Sequence, residues 1–318
     1  MDTRRLGNSD LEITPLGFGS WVTGGGNWEF GWGEQDDRES LSAIARALDL
    51  GINWIDTAAA YGLGHSEEVV GKAIRGRARK PYLFTKCSLV WGTDGKINHA
   101  LKRDSVRREC EASLRRLGVD RIDLYQIHWP FPDAEIEEGW ETLAKLKEEG
   151  KLGWIGVSNF DVSQLERARK IAPVTSLQPP YSAVHPEVEA EILPYCQRHG
   201  IGVIAYSPMQ AGLLTGGVTP ERVASFPDND WRKRSEDFHE PRLSRNLDLQ
   251  RLLAQIGARH GQPSAVVALA WVLRSPALTG AIVGARRPAQ VDGFIGAMSF
   301  RLAPDEVEKI AGFLRTRP

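Results

Sequence analysis

The chain has 318 residues, of which 25% are charged and 42% hydrophobic, and its formal net charge is −1. This balance is typical of a globular chain with a sizeable core, and it argues against a broad surface that binds nucleic acid or membranes. Three widely spaced cysteines form no disulfide framework and no zinc pattern, and no apolar run approaches the ~18 residues of a membrane span. The N-terminus lacks the apolar core of a signal peptide, so we expect a cytoplasmic protein without a metal site.

Short apolar or β-branched runs alternate with amphipathic stretches along the chain, which predicts alternating strands and helices. The runs predict strands at 16–20, 53–56, 82–86, 122–128, 154–158, 175–178, 202–207 and 281–284. The amphipathic stretches predict helices at 37–50, 66–76, 104–117, 136–149, 163–171, 186–198, 245–260 and 288–296. Asp104 and Ser163 are the expected N-caps of two helices. Glycines stand where helices commonly end, at Gly51, Gly118, Gly150 and Gly200.

Strict alternation implies parallel strands joined by helical crossovers, and eight such units favour an α/β fold of the (β/α)8 TIM-barrel type over an open doubly wound sheet. We expect one domain over residues 1–318, with extra C-terminal helices at 264–274 and 304–316. Residues 1–14 predict an N-terminal β-hairpin that turns at Asn8 and Ser9 and plugs the bottom of the barrel. The polar segment 215–243 contains several glycines and prolines, so we expect a lid loop or a disordered segment there.

Four ionisable residues mark the ends of predicted strands. Asp56, Lys86 and His128 end consecutive strands, and Tyr61 lies in the loop after the first of them. Barrels place their chemistry at the C-terminal ends of the strands, so we expect these side chains to converge. A lysine ammonium would make the tyrosine a stronger acid, and a buried aspartate would keep that lysine charged. Such a set could protonate a carbonyl oxygen while hydride reaches the carbonyl carbon, although each residue taken singly has a structural interpretation.

Seven motifs extend this interpretation along the chain. They read GINWIDTAAAYGLGHSEEVVGKAI, FTK, LGVDRIDLYQIHWP, WIGVSNF, SLQPPYS, AYSPMQAGLLTG and IVGARRPAQV. With them the sequence resembles the aldo-keto reductases over essentially its whole length, and most of all the branch of bacterial general reductases and potassium-channel β-subunit relatives. The resemblance implies a barrel that reduces aldehydes and ketones reversibly with NAD(P)H and needs no glycine-rich dinucleotide fingerprint.

The resemblance also implies roles for individual residues. Tyr61 would be the general acid in reduction, Lys86 would shift its pKa, Asp56 would hold Lys86 and border the cofactor, and His128 would donate a hydrogen bond to the carbonyl oxygen. The nicotinamide carboxamide would meet Ser158, Asn159 and Gln178. Tyr206 would stack on the nicotinamide ring. The remaining positions that the resemblance assigns to the cofactor or the border of its site are Gly19, Ser20, Trp21, Ser207, Pro208, Met209, Gly212, Leu213 and Gly284.

The end of the last predicted strand bears on the choice of cofactor. Arg286 and Arg287 precede a predicted helix at Pro288, and a helix N-terminus with arginine is typical of a phosphate site. Arg286 is the better candidate for an adenosine 2′-phosphate, which favours NADP(H) over NAD(H). Gln290 also falls among the family's cofactor positions, but many members carry a basic residue there. This departure leaves NAD(H) or dual use open.

Tryptophans fall in the loops expected at the catalytic mouth. Trp28, Trp91 and Trp129 predict an aromatic-walled substrate pocket, to which Trp32 and Phe30 could contribute. Such walls suit aromatic or aliphatic carbonyl compounds, and polyols and aldoses remain open. Two alternatives to a reductase stay under consideration, a cofactor-binding accessory subunit with slow turnover and a barrel isomerase with a phosphorylated substrate. The sequence leaves the oligomeric state undetermined.

Overall fold

Eight parallel strands close into a barrel at the centre of the molecule, in a computed structural model that describes residues 2–316. The strands in chain order are β1 (Arg4–Arg5), β2 (Glu12–Ile13), β3 (Leu16–Gly19), β4 (Trp54–Asp56), β5 (Tyr82–Cys87), β6 (Leu89–Trp91), β7 (Ile97–His99), β8 (Ile122–Ile127), β9 (Leu152–Ser158), β10 (Ser176–Gln178), β11 (Gly202–Ala205) and β12 (Leu278–Gly284). The barrel order is β3-β4-β5-β8-β9-β10-β11-β12, and β12 pairs with β3 to close it. The prediction of a (β/α)8 barrel is therefore confirmed.

Helices surround the barrel and bury their apolar faces against it. They are α1 (Asp37–Asp49), α2 (His65–Ile74), α3 (Arg103–Leu117), α4 (Ile136–Glu148), α5 (Val162–Arg169), α6 (Ile192–Arg198), α7 (Pro220–Ala224), α8 (Arg242–Ala258), α9 (Ser264–Leu273), α10 (Pro288–Phe294) and α11 (Pro304–Arg315). The predicted extra helices correspond to α9, which is buried along its length, and to α11. No helix of the described residues has the length and hydropathy that crossing a membrane requires.

Two predicted N-caps and one predicted helix were wrong. Lys102 occupies the N-cap of α3, one residue before its first helical residue Arg103. Asp161 caps α5, because its carboxylate accepts from Gln164 N while the Gln164 side chain accepts from Asp161 N, a reciprocal capping box. The helix expected at 186–198 is shortened to α6, preceded by a helical turn at Glu187–Glu189. Pro194 explains the break, because it lacks the N–H that would bond the preceding turn.

The N-terminal hairpin closes the bottom of the barrel, as predicted. Strands β1 and β2 pair antiparallel, and Arg4 donates from its guanidinium to the carbonyl of Leu278 at 2.9 Å. The apolar residues of the hairpin share a buried cluster with inward-facing strand residues, namely Leu6, Leu11, Ile13, Trp54, Phe84, Leu124, Ile204 and Ile282. Since the lower interior is filled with side chains, only the opposite end of the barrel can hold a ligand.

The segment 215–243 is folded rather than disordered. It contains α7 and two further helical turns, Trp231–Arg234 and Glu236–Phe238. Arg232 is buried and forms an ion pair with Asp230 at 2.6 Å. The segment and its flanks bury their own apolar cluster, formed by Ala211, Leu213, Val218, Val223, Phe226, Phe238 and Leu243. This small core fixes the segment beside the mouth of the barrel.

Candidate active site

The C-terminal ends of the barrel strands open into one cavity of about 960 Å³. Twenty-two of the residues singled out from the sequence border it: Gly19, Ser20, Trp21, Trp28, Phe30, Trp32, Asp56, Tyr61, His128, Trp129, Ser158, Asn159, Gln178, Tyr206, Ser207, Pro208, Met209, Gly212, Gly284, Arg286, Arg287 and Gln290. The volume lies at the upper end of the range for ligand pockets, which suits a large cofactor together with a substrate.

Three other predicted residues do not border the cavity. Lys86 lies beneath its floor, where it bonds Asp56. The side chain of Leu213 is fully buried in the apolar cluster of the 215–243 segment, and its place along the cofactor stays a prediction. Trp91 does not border the cavity either, and its contact with a substrate stays a prediction. The β6–β7 hairpin carries its ring toward α3, where the guanidinium of Arg116 lies 5.9 Å from the ring centroid.

The four ionisable residues that end or follow strands converge at the floor of the cavity. Lys86 Nζ donates to Asp56 Oδ1 at 2.5 Å, to the carbonyl of Thr57 at 2.8 Å and to Tyr61 Oη at 3.5 Å. The rings of Tyr61 and His128 meet edge to face with centroids 5.7 Å apart. Consecutive strands β4, β5 and β8 position the set, because parallel neighbours in a barrel end at the same rim.

Two buried residues that the sequence analysis missed complete this polar network. Gln126 donates to Asp56 Oδ2 at 3.4 Å, beside Gln178, which donates to the same oxygen at 2.8 Å. The second residue is Thr57, whose carbonyl accepts from Lys86 Nζ at 2.8 Å. Gln126 had a signal in the sequence, since it is a polar residue inside the otherwise apolar end of the run IDLYQI. A polar side chain that faces a barrel interior needs a partner, and Asp56 is that partner.

The electrostatics differ from the expectation for Tyr61. Burial raises the pKa of Tyr61 well above 10, and the nearby Asp56 carboxylate adds to the increase. Lys86 forms an ion pair with Asp56 at 2.5 Å, and the pKa of Tyr61 is raised rather than lowered as predicted. Burial also holds the pKa of His128 well below 6.5, with Lys86 as the next cause. Both rings are therefore neutral near pH 7.

The residues predicted for the nicotinamide carboxamide are tied to one another. Ser158 Oγ donates to the carbonyl of Gln178 at 2.8 Å, and Asn159 Nδ2 donates to the carbonyl of His128 at 2.9 Å. Tyr206 Oη donates to Asn159 Oδ1 at 3.0 Å. Asn159 also has a positive φ of 62°, which is uncommon outside glycine. Such constraints fix the side-chain positions before any ligand arrives.

Arg286 borders the cavity and also bonds a loop far away in the sequence. Its guanidinium donates to Gln35 Oε1 at 2.8 Å, to the carbonyl of Trp32 at 3.0 Å and to the carbonyl of Glu34. Gln290 accepts from the backbone N–H of Arg286 at 2.6 Å. Arg286 therefore fastens the loop 32–35 to the end of β12. Arg287 also borders the cavity, is exposed, and has no side-chain hydrogen bond or ion pair within the described residues.

A stack of aromatic rings forms a roof at one side of the cavity, where Trp21 and Trp32 border the cavity and Trp231 packs behind them. The Trp21 ring lies parallel to Trp231 at a centroid distance of 5.3 Å and to Tyr61 at 6.1 Å. Trp231 N donates to the carbonyl of Gly31 at 3.0 Å, and Trp32 packs edge to face on Trp231. The sequence analysis missed Trp231, because nothing local indicates which side of the 215–243 segment faces the barrel.

A second group of aromatic residues at the cavity is partly open to solvent. Phe30, Trp129 and Phe131 are large hydrophobic residues with exposed fractions of 40%, 36% and 48%, and all three border the cavity. His99 packs edge to face on Phe131 at 5.5 Å, and Trp28 packs on Phe30 at 5.9 Å. Exposed apolar rings gathered at one cavity indicate a binding surface. The sequence analysis did not find Phe131 or His99, since neither lies at a strand end.

Comparison with known proteins identifies the family. The sequence model described as "Aldo/keto reductase family" matches residues 15–315. The chain belongs to the aldo/keto reductase family. The aldo-keto reductase YhdN of Bacillus subtilis is 37% identical over 98% of this chain and 92% of its own length. The NADH-specific methylglyoxal reductase of Escherichia coli is 33% identical, with 94% of each chain covered.

A solved structure agrees with the sequence comparison. The glycerol dehydrogenase AKR11B4 of Gluconobacter oxydans superposes with a TM-score of 0.90 at 35% identity, over 99% of this reductase and 95% of that chain. The reductase described here is an NAD(P)H-dependent oxidoreductase that reduces aldehydes or ketones to alcohols in a reversible reaction. Its substrates are small carbonyl compounds. Its described residues contain no group of three or more side chains suited to a metal ion.

Proposed function

We propose that Tyr61 donates the proton to the carbonyl oxygen in reduction and takes it back in oxidation. The observation that carries this proposal is the contact of its hydroxyl with Lys86 Nζ at 3.5 Å on the cavity floor. The raised pKa of Tyr61 keeps the ring protonated near pH 7, which is the form that a donor needs. The neutral ring of His128 retains one N–H, which would bond the carbonyl oxygen where negative charge develops.

The residues along the other side of the cavity fit a nicotinamide dinucleotide, which supplies the hydride when it is bound. Amide and hydroxyl groups of Ser158, Asn159 and Gln178 suit its carboxamide, and Tyr206 offers a ring for stacking. Gly212 has a left-handed φ of 90°, and a Cβ added there would meet nothing within 4 Å. Backbone this open allows close approach of a diphosphate.

We further propose a preference for NADP(H) over NAD(H). The support is Arg287, an exposed guanidinium that borders the cavity and is not paired within residues 2–316. Its long side chain suits a 2′-phosphate, and Arg286 then acts mainly by holding the loop 32–35. The relative in Escherichia coli is NADH-specific, so the two cofactors must be compared directly. Titration of wild type and Arg287→Ala with each cofactor tests this preference.

The segment 215–243 is proposed to act as a lid. Its support is the pair of backbone links to the loop 25–35, one from Trp231 to Gly31 and one bridge between Asp230 and Trp32. Arg234 also donates to the carbonyl of Glu29. A roof joined in this way slows cofactor release, so an accessory role with slow turnover stays the second candidate function. The three cysteines are free and buried, which supports the proposal of a reducing, cytoplasmic location.

One experiment tests the proposed activity. Purified protein is titrated with NADPH and with NADH by fluorescence, and a panel of aldehydes and ketones is then assayed under saturating cofactor. If the wild-type protein binds the cofactor and turns over a carbonyl compound, and Tyr61→Phe abolishes that turnover, the proposed role of Tyr61 is supported. Binding without turnover favours the accessory role, and turnover retained by Tyr61→Phe contradicts the assignment.

A further inference from the structure

A buried chain of hydrogen bonds connects helix α3 to the substrate wall through a residue with no assigned role. Ser88 follows β5 directly, two residues after Lys86, and has a φ of 86°. L-residues other than glycine rarely adopt this backbone conformation, so the surroundings of Ser88 must impose it. The backbone N–H of Ser88 donates to Glu109 Oε2 at 2.9 Å, and its carbonyl accepts from Ala100 N at 3.1 Å.

The hydroxyl of Ser88 reaches the loop that follows β8. It donates to the carbonyl of Trp129 at 3.1 Å and accepts from the backbone N–H of Trp129 at 3.1 Å. The last paired residues of β5 and β8 are Cys87 and Ile127, and His128 N still donates to the carbonyl of Cys87 at 2.9 Å. The serine side chain thus continues the connection between the two strands beyond the end of their ladder.

Glu109 accepts a hydrogen bond from Ser88 on the side of helix α3. This glutamate lies on α3, is 9% exposed, and accepts from Ser105 Oγ at 3.3 Å with its second oxygen. It forms no ion pair with any residue that the structure describes. Burial raises its pKa to about 8. A buried carboxyl group without an ion pair depends on hydrogen bonds for its stability, and the backbone N–H of Ser88 is one of its two partners.

We infer that Ser88, held by Glu109, is a positioning residue for the substrate side of the active site. Through Trp129 it fixes the loop 128–131, and with that loop the placement of the Trp129 wall and of the His128 ring opposite Tyr61. The kinetic part of this inference rests on the proposed function. Its structural part, the restraint of Trp129 by the serine hydroxyl, does not.

The decisive variant is Ser88→Gly. Glycine adopts the positive φ without strain and keeps the N–H that bonds Glu109, so the change removes only the hydroxyl link to Trp129. The matched control is Ser113→Ala on α3, which removes a buried serine hydroxyl that has no partner among the described residues. Glu109→Gln keeps an acceptor for Ser88 N–H, whereas Glu109→Ala removes it.

Two readouts test the inference, the kinetics of 4-nitrobenzaldehyde reduction with NADPH and hydrogen exchange of the Trp129 amide by mass spectrometry. In Ser88→Gly we expect KM for the aldehyde to rise about tenfold with a smaller fall in kcat, while the NADPH dissociation constant changes less than about twofold. Exchange at Trp129 should become about tenfold faster. Glu109→Ala should follow Ser88→Gly in both readouts, and Glu109→Gln should stay close to wild type.

The outcomes separate this inference from the proposed function. Unchanged Trp129 exchange in Ser88→Gly overturns the positioning role whatever the kinetics show. Equal loss of aldehyde and NADPH affinity also overturns it, because general loosening of the fold would act on both ligands. If the wild-type protein turns over no carbonyl compound, the proposed function fails, and the exchange comparison with Ser113→Ala still decides the role of Ser88.

Discussion

The ammonium of Lys86 lies 2.5 Å from Asp56 Oδ1, and neither side chain is accessible to solvent beyond 3%. The ion pair therefore forms in a medium of low dielectric, where each charge depends on the other. Removing one partner leaves a buried charge without compensation. The same pair sets the electrostatic surroundings of Tyr61, so stability and the proposed catalysis are coupled at this point.

Lys86→Met should therefore lower the free energy of unfolding by about 3–5 kcal/mol and nearly abolish turnover. The double variant Lys86→Met with Asp56→Asn removes both charges, and we expect it to regain most of the lost stability without regaining turnover. Urea unfolding and carbonyl reduction are measured on all three proteins. A double variant that recovers activity would show that the ion pair serves only the fold.

Tyr61→Phe should reduce carbonyl turnover by about 100-fold or more, because general acid catalysis by a positioned group contributes that much. The affinity for NADPH should stay within about twofold of wild type, since the hydroxyl contacts Lys86 rather than the predicted cofactor residues. The control is Tyr82→Phe, which removes a tyrosine hydroxyl at the opposite end of the barrel, at the start of β5. Equal losses in both variants would contradict a specific role for Tyr61.

The raised pKa of Glu109 should make the free energy of unfolding depend on pH. Its pKa of about 8 in the folded protein exceeds the ordinary value of 4.5, so the folded state binds this proton more tightly than the unfolded state. The contribution of Glu109 to the free energy of unfolding is then fully present below pH 4.5. It is lost as the pH rises toward 8, by up to about 1.4 kcal/mol per pH unit. The neighbouring ionisable groups are Arg108, Arg116, Cys87 and Tyr125.

Glu109→Gln has no proton to lose, so its stability should fall less steeply than that of wild type between pH 5 and pH 8. The measurement is urea unfolding of both proteins at several pH values, which gives the difference directly. Parallel curves over this range would mean that Glu109 is already ionised in the folded state.

Trp231→Ala should open the aromatic roof and speed cofactor release. The ring stacks on Trp21 at 5.3 Å, and Trp21 stacks in turn on Tyr61. Loss of one stacked partner and its buried area predicts an increase of about tenfold in the NADPH dissociation rate, measured by stopped-flow fluorescence. Trp154→Ala, at the hairpin end of the barrel, is the control and should leave this rate unchanged. An unchanged rate in Trp231→Ala would contradict the lid.

Much of the fold could be predicted from the sequence, because strand and helix periodicities are local. The runs that contain Asp56, Lys86 and His128 ended where the strands end to within one residue. Once the eight units were recognised as a barrel, the geometry of parallel strands required these side chains to meet. The sequence by itself therefore determined the barrel, its N-terminal plug and the floor of the candidate site.

Tertiary structure decided the contacts between residues far apart in the chain. Arg286 binds the loop 32–35 across about 250 positions, which no local pattern could reveal, and the prediction that it faces a phosphate did not anticipate this. Trp91 turns toward Arg116 because a hairpin redirects it after β5. The pKa of Tyr61 depends on burial and on the nearby Asp56 carboxylate, and both follow from packing in three dimensions. The periodicity of the sequence indicates which face of a helix or strand is buried. Hydrogen-bond partners and the compensation of charges arise only when the helices and strands assemble.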